Sequence, residues 1–222
     1  MIEIDSILID SSLNIITDTL SNYEMDDTWS LILSIIIGVC LSASCGFRIF
    51  TPFFILSVLG YFNIFELNEE VSWIASLPAM MGLGVATACE MLAYYIPWFD
   101  NLLGMISTPI AATAGAAIGA VIMSDLDPYL QWAIAIIAGG GGSTAIHLSI
   151  ESIRAMSTAT TGGFANFLVT TFENFAAIFF SILAIIAPFI TFFLLILCGF
   201  IFFMVIKMLR KKLIRKLRKK SG

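Results

Sequence analysis

The sequence predicts an all-α, polytopic transmembrane helical bundle of about six spans, some of them broken or re-entrant. Two observations carry that prediction. Apolar runs of about 20 residues, the length that crosses a bilayer core, recur along most of the chain. The chain is 59% hydrophobic and 12% charged, where a soluble domain carries roughly 25% charged residues. Its mean hydropathy is +0.98. Charge is also partitioned: nine of the 11 Lys and Arg lie between Lys207 and Lys220, and all 16 acids precede Lys207. Residues 1–206 therefore carry a net −14 and the tail +9.

These patterns divide the chain into three parts. Residues 1–27 hold seven acids and no base, which excludes a signal peptide with its basic leading region. The spacing of Ile4, Ile7, Leu8, Ile15, Ile16 and Leu20 predicts an amphipathic segment at the membrane interface or against the bundle. Residues 28–206 form the transmembrane domain, with halves at 28–124 and 128–206. Residues 207–222 form a basic tail. Positive flanks stay cytoplasmic, which places the C-terminus inside. Lys207, Arg210, Lys211, Lys212 and Arg215 can contact anionic lipid headgroups, at about 1 kcal/mol per basic residue. A topology anchor explains the tail better than a nucleic-acid site, so no nucleic-acid partner is expected.

Six apolar blocks follow in order: Trp29–Gly60, Val71–Ile96, Leu102–Met123, Tyr129–Ile150, Phe164–Ile186 and Pro188–Ile206. Pro128 and Pro188 suit the first turn of a new helix. The first block, at 32 residues, would make a helix of about 48 Å, too long for a core of about 30 Å. It holds Gly46, Arg48 and Pro52 near its middle, so a broken or re-entrant helix is expected there. A single crossing puts both termini inside; a dip and return puts the acidic N-terminus outside.

Ionisable groups inside the blocks fall on small or polar stripes. Gly82, Ala86 and Glu90 share one face, and Ala111, Gly115 and Gly119 another of GxxxG type. Gly139, Ser143, His147 and Glu151 form a row that Arg154 extends. Asn166, Thr170, Glu173, Ala177, Ser181 and Ala184 track one side of the fifth block, and Ser34, Gly38, Ser42 and Gly46 do so in the first. Charges within spans are costly and face the interior. Glu90, Arg48, His147, Glu151, Arg154 and Glu173 are therefore expected to gather at a polar intramembrane site. Gly139, Gly140, Gly141 and Gly142 are expected to permit close packing or local unwinding, with "STATTGG" as the polar turn that follows. The Gly115 and Gly119 face suits either internal packing or a homo-oligomer.

Several chemistries are poorly supported. "GGGGST" lacks the Lys of a phosphate-binding loop and no strand precedes it. Ser143 and His147 stand four apart, but a nucleophilic dyad also needs an oxyanion hole. One His and scattered thiols give no metal-ligand spacing. No catalytic residue, metal or cofactor is expected, and the chain is not expected to be an enzyme. Arg48 then Glu90 in one half, and Arg154 then Glu173 in the other, allow a 3+3 inverted repeat of the kind transporters use.

The blocks "CGFRIFTPF", "ACEMLAYYIPWFDN", "STPIAATAGA", "SDLDP" and "STATTGGFANF" with "FEN" resemble the bacterial membrane family catalogued as domain of unknown function 4126. The resemblance runs from about Ile32 to Pro188 and leaves out the acidic start and the basic tail. It implies a multi-pass protein of the bacterial inner membrane and brings no activity with it. A small-solute or ion transporter or channel, with Glu90 or Glu173 as a proton-linked group, is the favoured function. A lipid-handling protein and a non-catalytic scaffold are the alternatives.

Overall fold

The computed structural model describes residues 28–218. All its regular elements are helical: α1 (Thr28–Ser44), α2 (Phe50–Tyr61), a 3-10 helix (Glu69–Ala75), α3 (Leu77–Ala93), α4 (Pro97–Ile122), α5 (Pro128–Ile134), a π-helical segment (Ala135–Gly140), α6 (Gly141–Thr161), α7 (Asn166–Ile186) and α8 (Pro188–Arg218). The expected amphipathic segment 1–27 lies outside the described residues.

Local chemistry sets most helix starts. Pro97, Pro128 and Pro188 each open a helix, where their missing N–H costs nothing and their fixed φ is already helical. Asp127 Oδ1 accepts from the N–H of Tyr129 at 3.0 Å and caps α5, and Ser76 Oγ accepts from Ala79 N–H at 3.3 Å on α3. The expected turn at "STATTGG" is shorter than the sequence implied. Helix α6 continues to Thr161 and only Gly162 and Gly163 take positive φ, +66° and +93°. Thr158, Thr160 and Thr161 donate to the carbonyls of Arg154, Met156 and Ser157. Satisfying their hydroxyls on the helix itself removes the reason to leave it.

Helices α5 and α6, joined through the π-helical segment, form one run of 34 residues, Pro128–Thr161. This run and α7 are long and apolar enough to cross a membrane. A third candidate is the 3-10 helix with α3, bent by 59° at Ser76, a bend the sequence pattern did not indicate. The other expected blocks hold shorter apolar helices. Burial is inverted relative to a soluble protein. On α7, Thr170, Glu173 and Ser181 are buried while Phe172, Phe175, Phe179 and Ile186 are exposed. Large apolar side chains outside and polar ones inside suit a lipid solvent.

The first block is broken as expected, but upstream of Pro52. Residues 45–49 leave the helix, and Pro52 sits in the first turn of α2, where proline does no harm. The two arms return to one level. Ser34 of α1 and Phe65–Asn68 beyond α2 line the same cavity of about 280 Å³, together with Ser124 and Asp125 at the end of α4. Asn68 Nδ2 donates to Asp125 Oδ1 at 2.5 Å across it. Helices α1 and α2 are thus the arms of a hairpin whose tip is the Cys45–Ile49 break. Leu41, Cys45 and Leu56 join the arms in a core shared with Ile118 and Ile122 of α4.

Candidate functional site

The hairpin tip reaches the centre of the bundle because three backbones cross without side chains between them. A Cβ on Gly115 of α4 would lie 2.6 Å from Ser143 Cβ and 2.8 Å from Gly139 O. One on Gly139 would meet Ser42 Oγ of α1 at 2.8 Å, and one on Gly46 would meet Ser143 O at 2.5 Å. Gly119 faces Ser42 in the same way, at 2.7 Å, and Gly140 faces Ala112 O at 3.0 Å. Ser143 Oγ closes the crossing by donating to Ala111 O at 2.6 Å. The Gly115 and Gly119 face is therefore used inside the chain. The four glycines divide: Gly139 and Gly140 make close contacts, whereas Gly141 has nothing within 4 Å and Gly142 only Ala43 Cβ at 4.0 Å. Their run stays helical in the wider π form up to Gly140, a distortion frequent at functional sites.

Below this crossing lies a charge cluster. Arg154 of α6 holds Glu173 of α7 through two bonds, Nε to Oε1 at 2.9 Å and Nη2 to Oε2 at 2.5 Å. Arg154 Nη2 also reaches Thr170 Oγ1 at 3.2 Å. From the hairpin tip, Arg48 brings Nη2 to 3.1 Å from Glu173 Oε2 and donates from Nε to Asn174 Oδ1 at 2.6 Å. Both guanidiniums stack on Tyr94, at 3.9 Å for Arg48 and 4.8 Å for Arg154. Two cations from separate elements thus share one carboxylate, with relative exposures of 1%, 4% and 2% for Arg48, Arg154 and Glu173. Bidentate Arg–carboxylate pairing is among the strongest polar contacts available.

Glu90 is close by but has a different partner. Its carboxylate accepts from the N–H of Ile49 at 2.7 Å and of Phe50 at 2.9 Å. It therefore caps α2 from across the bundle, satisfying donors that the break exposes and placing negative charge at the positive end of the helix. Glu90→Ala is expected to leave those donors unmet. The loss should be about 1–3 kcal/mol, read as a lower Tm of the detergent-solubilised protein.

His147 ties the crossing to the cluster. Its Nδ1 lies 3.3 Å from Gly46 O and its Nε2 lies 2.8 Å from Ser107 Oγ. A carbonyl only accepts, so Nδ1 carries the hydrogen and the neutral ring takes the Ser107 hydroxyl at Nε2. Ser143, four residues before His147, is not its partner. Glu151 stands 3.9 Å from Arg154 Nε and 4.0 Å from His147 Nε2, and its Oε2 would lie 3.2 Å from a Cβ on Gly104.

Of the six expected ionisable residues, Arg48, Arg154, Glu173, Glu151 and His147 are linked in one cluster, and Glu90 lies beside it on the backbone of Ile49 and Phe50. Sequence reasoning missed Ser107, Tyr94 and Asn174. A signal existed for two of them: Ser107 extends the Ala111, Gly115, Gly119 step by one more turn, and Tyr94 follows Glu90 by four. Lys207 lies exposed on α8, whose backbone continues through Arg210, Lys211, Lys212 and Arg215; the side chains of those four lie outside the description. No group of three or more His, Cys, Asp or Glu among the described residues could hold a metal ion.

A family model described as Domain of unknown function (DUF4126) matches residues 35–208. No curated protein and no solved structure matches the chain.

Proposed function

Because the chain belongs to the family described as Domain of unknown function (DUF4126), which brings no activity to transfer, we propose its role from the site itself. The protein is a membrane transporter or channel for a small solute or ion, in a closed conformation. The observation that carries this is the convergence of Arg48 and Arg154 on the single buried carboxylate of Glu173. A buried ion cluster is a poor source of stability, since apolar residues of similar volume often do better. Ionisable groups inside a membrane bundle accordingly mark sites by default. The surroundings support the same role: a broken helix aims its N-terminal end at the cluster, a device transporters use to hold solutes.

In the proposed topology, α1–α2 is a re-entrant hairpin that enters and leaves on the outer side. The 3-10 helix with α3, then α4, α5–α6, α7 and α8 are the crossings. The C-terminus is cytoplasmic, the N-terminus lies outside and the membrane is the bacterial inner membrane. An inverted 3+3 repeat draws support from the order Arg48–Glu90 and Arg154–Glu173, although α1–α2 and α5–α6 differ in shape. The basic tail is proposed to lie on anionic headgroups.

Solute and proton flux into proteoliposomes tests the function, comparing wild type with Glu90→Gln and Glu173→Gln. Flux in wild type that changes in at least one variant is expected. If no candidate ion moves, or both variants match wild type, transport through these acids is wrong. The closed contacts around Glu173 favour one other reading, a scaffold whose charges only fix helix packing. A lipid-handling role finds less support: the groove of about 580 Å³ between α4 and α5–α6 is lined by Ala112, Ala116, Ile136, Gly140 and Leu148 with no charged residue.

A further inference from the structure

The transport reading leaves the solute open, and the donor chemistry around Glu173 narrows it. The cluster has more donor capacity than its resident carboxylate uses. Arg48 Nη2 lies 3.1 Å from Glu173 Oε2 yet off the line of a hydrogen bond, and it has no hydrogen-bond partner although buried. The N-terminus of α2 is already taken by another carboxylate, Glu90, through two backbone N–H groups. Paired guanidiniums favour planar oxyanions.

We infer that Arg48 and Arg154 form a binding site for a small planar monovalent oxyanion, with Glu173 as a tethered occupant that the soluble anion displaces. This rests on the transport function proposed above and names its substrate class. Each part has a defined role. Arg154 presents the fork that now grips Glu173 on Oε1 and Oε2, and a soluble oxyanion takes the same two bonds. Arg48 Nη2 supplies a donor that the tethered carboxylate leaves without a hydrogen bond. Tyr94 keeps both guanidiniums in place through its ring faces. Glu90 is held by the backbone and stays as the cap.

The test uses the full chain in proteoliposomes with nitrate as the probe and potassium and protons as the contrasting ions. Nitrate flux above that of protein-free vesicles is expected. Glu173→Gln removes the competing charge and should raise that flux by about tenfold or more, since a site that is mostly occupied from within binds in proportion to its free fraction. Arg154→Lys keeps the charge but loses the fork and should lower it. Nitrate flux no greater than that of empty vesicles, in both wild type and a properly reconstituted Glu173→Gln, overturns the anion site. If potassium or protons alone move, the anion site falls and the transport function stands; if nothing moves, both fall. Should Glu173→Gln fail to reconstitute, wild type in detergent decides. Nitrate should raise its Tm above that in gluconate at equal ionic strength, and no difference overturns the inference.

Discussion

Glu173→Ala is expected to cost about 3–5 kcal/mol of folding stability, the range for breaking a buried ion pair by removing one partner. Two guanidiniums would lose their common carboxylate at once, Arg154 two hydrogen bonds and Arg48 an ion pair at 3.1 Å. Arg48 would keep Asn174, Arg154 would keep Thr170 and Glu151, and both would keep the Tyr94 ring, but the carboxylate they share would be gone. Detergent-solubilised protein should lose its monodisperse peak or show a sharply lower Tm. Glu173→Gln keeps the volume and one acceptor oxygen, so its loss should be smaller. The triple change Arg48→Met, Arg154→Met, Glu173→Leu separates the two roles of the cluster. Apolar replacement of a buried ion triad is neutral or stabilising by about 1–4 kcal/mol in the best-studied cases. The triple variant should therefore fold at least as well as wild type and carry no flux. A folded triple variant with wild-type flux would end the proposed function. A triple variant that cannot fold would show that the charges are needed for packing.

Gly115→Leu is expected to be the other severe change, at about 3 kcal/mol, the upper end for overpacking. Even the first added carbon would stand 2.6 Å from Ser143 Cβ and 2.8 Å from Gly139 O. Neither neighbour can retreat cheaply. Gly139 is itself against Ser42 Oγ, and Ser143 O is against Gly46. Pushing α4 from α5–α6 would also lift Ser107 from His147 and loosen the hairpin tip that carries Arg48. Gly141→Ala is the control. Its Cβ would meet nothing within 4 Å, and alanine favours a helix interior over glycine by about 1 kcal/mol. Thermal melts of the two variants should move in opposite directions. Equal shifts would show that the three-backbone crossing does not govern stability.

Much of this site could be read along the chain because its parts obey helical spacing. Gly139, Ser143 and His147 stand four apart and do share the face that meets α4 and the hairpin. Glu173 and Thr170 lie on the polar side of α7, opposite Phe172 and Phe175. The break near Gly46 was legible from block length together with Gly46, Arg48 and Pro52 near its middle, since 32 residues cannot form one straight span of a core about 30 Å thick. The roles of Gly141 and Gly142 were not legible. Four identical residues look alike in sequence, yet only Gly139 and Gly140 face a neighbour's backbone. Nor was the end of α6, where threonines that read as a polar turn satisfy themselves on helical carbonyls.

Composition and periodicity by themselves determined an all-helical, membrane-associated chain and the positions of its polar stripes. These are local properties, set by which residues repeat at 3.6 per turn and by what an apolar environment tolerates. Pairing was decided only in three dimensions. Glu90 caps α2 instead of meeting an arginine, His147 takes Ser107 instead of Ser143, and both arginines converge on Glu173. The physical reason is reach. A stripe says which way a side chain points, but its partner depends on how closely the backbones approach, and that distance is set by glycines on α4, on the π-helical segment and at the hairpin tip.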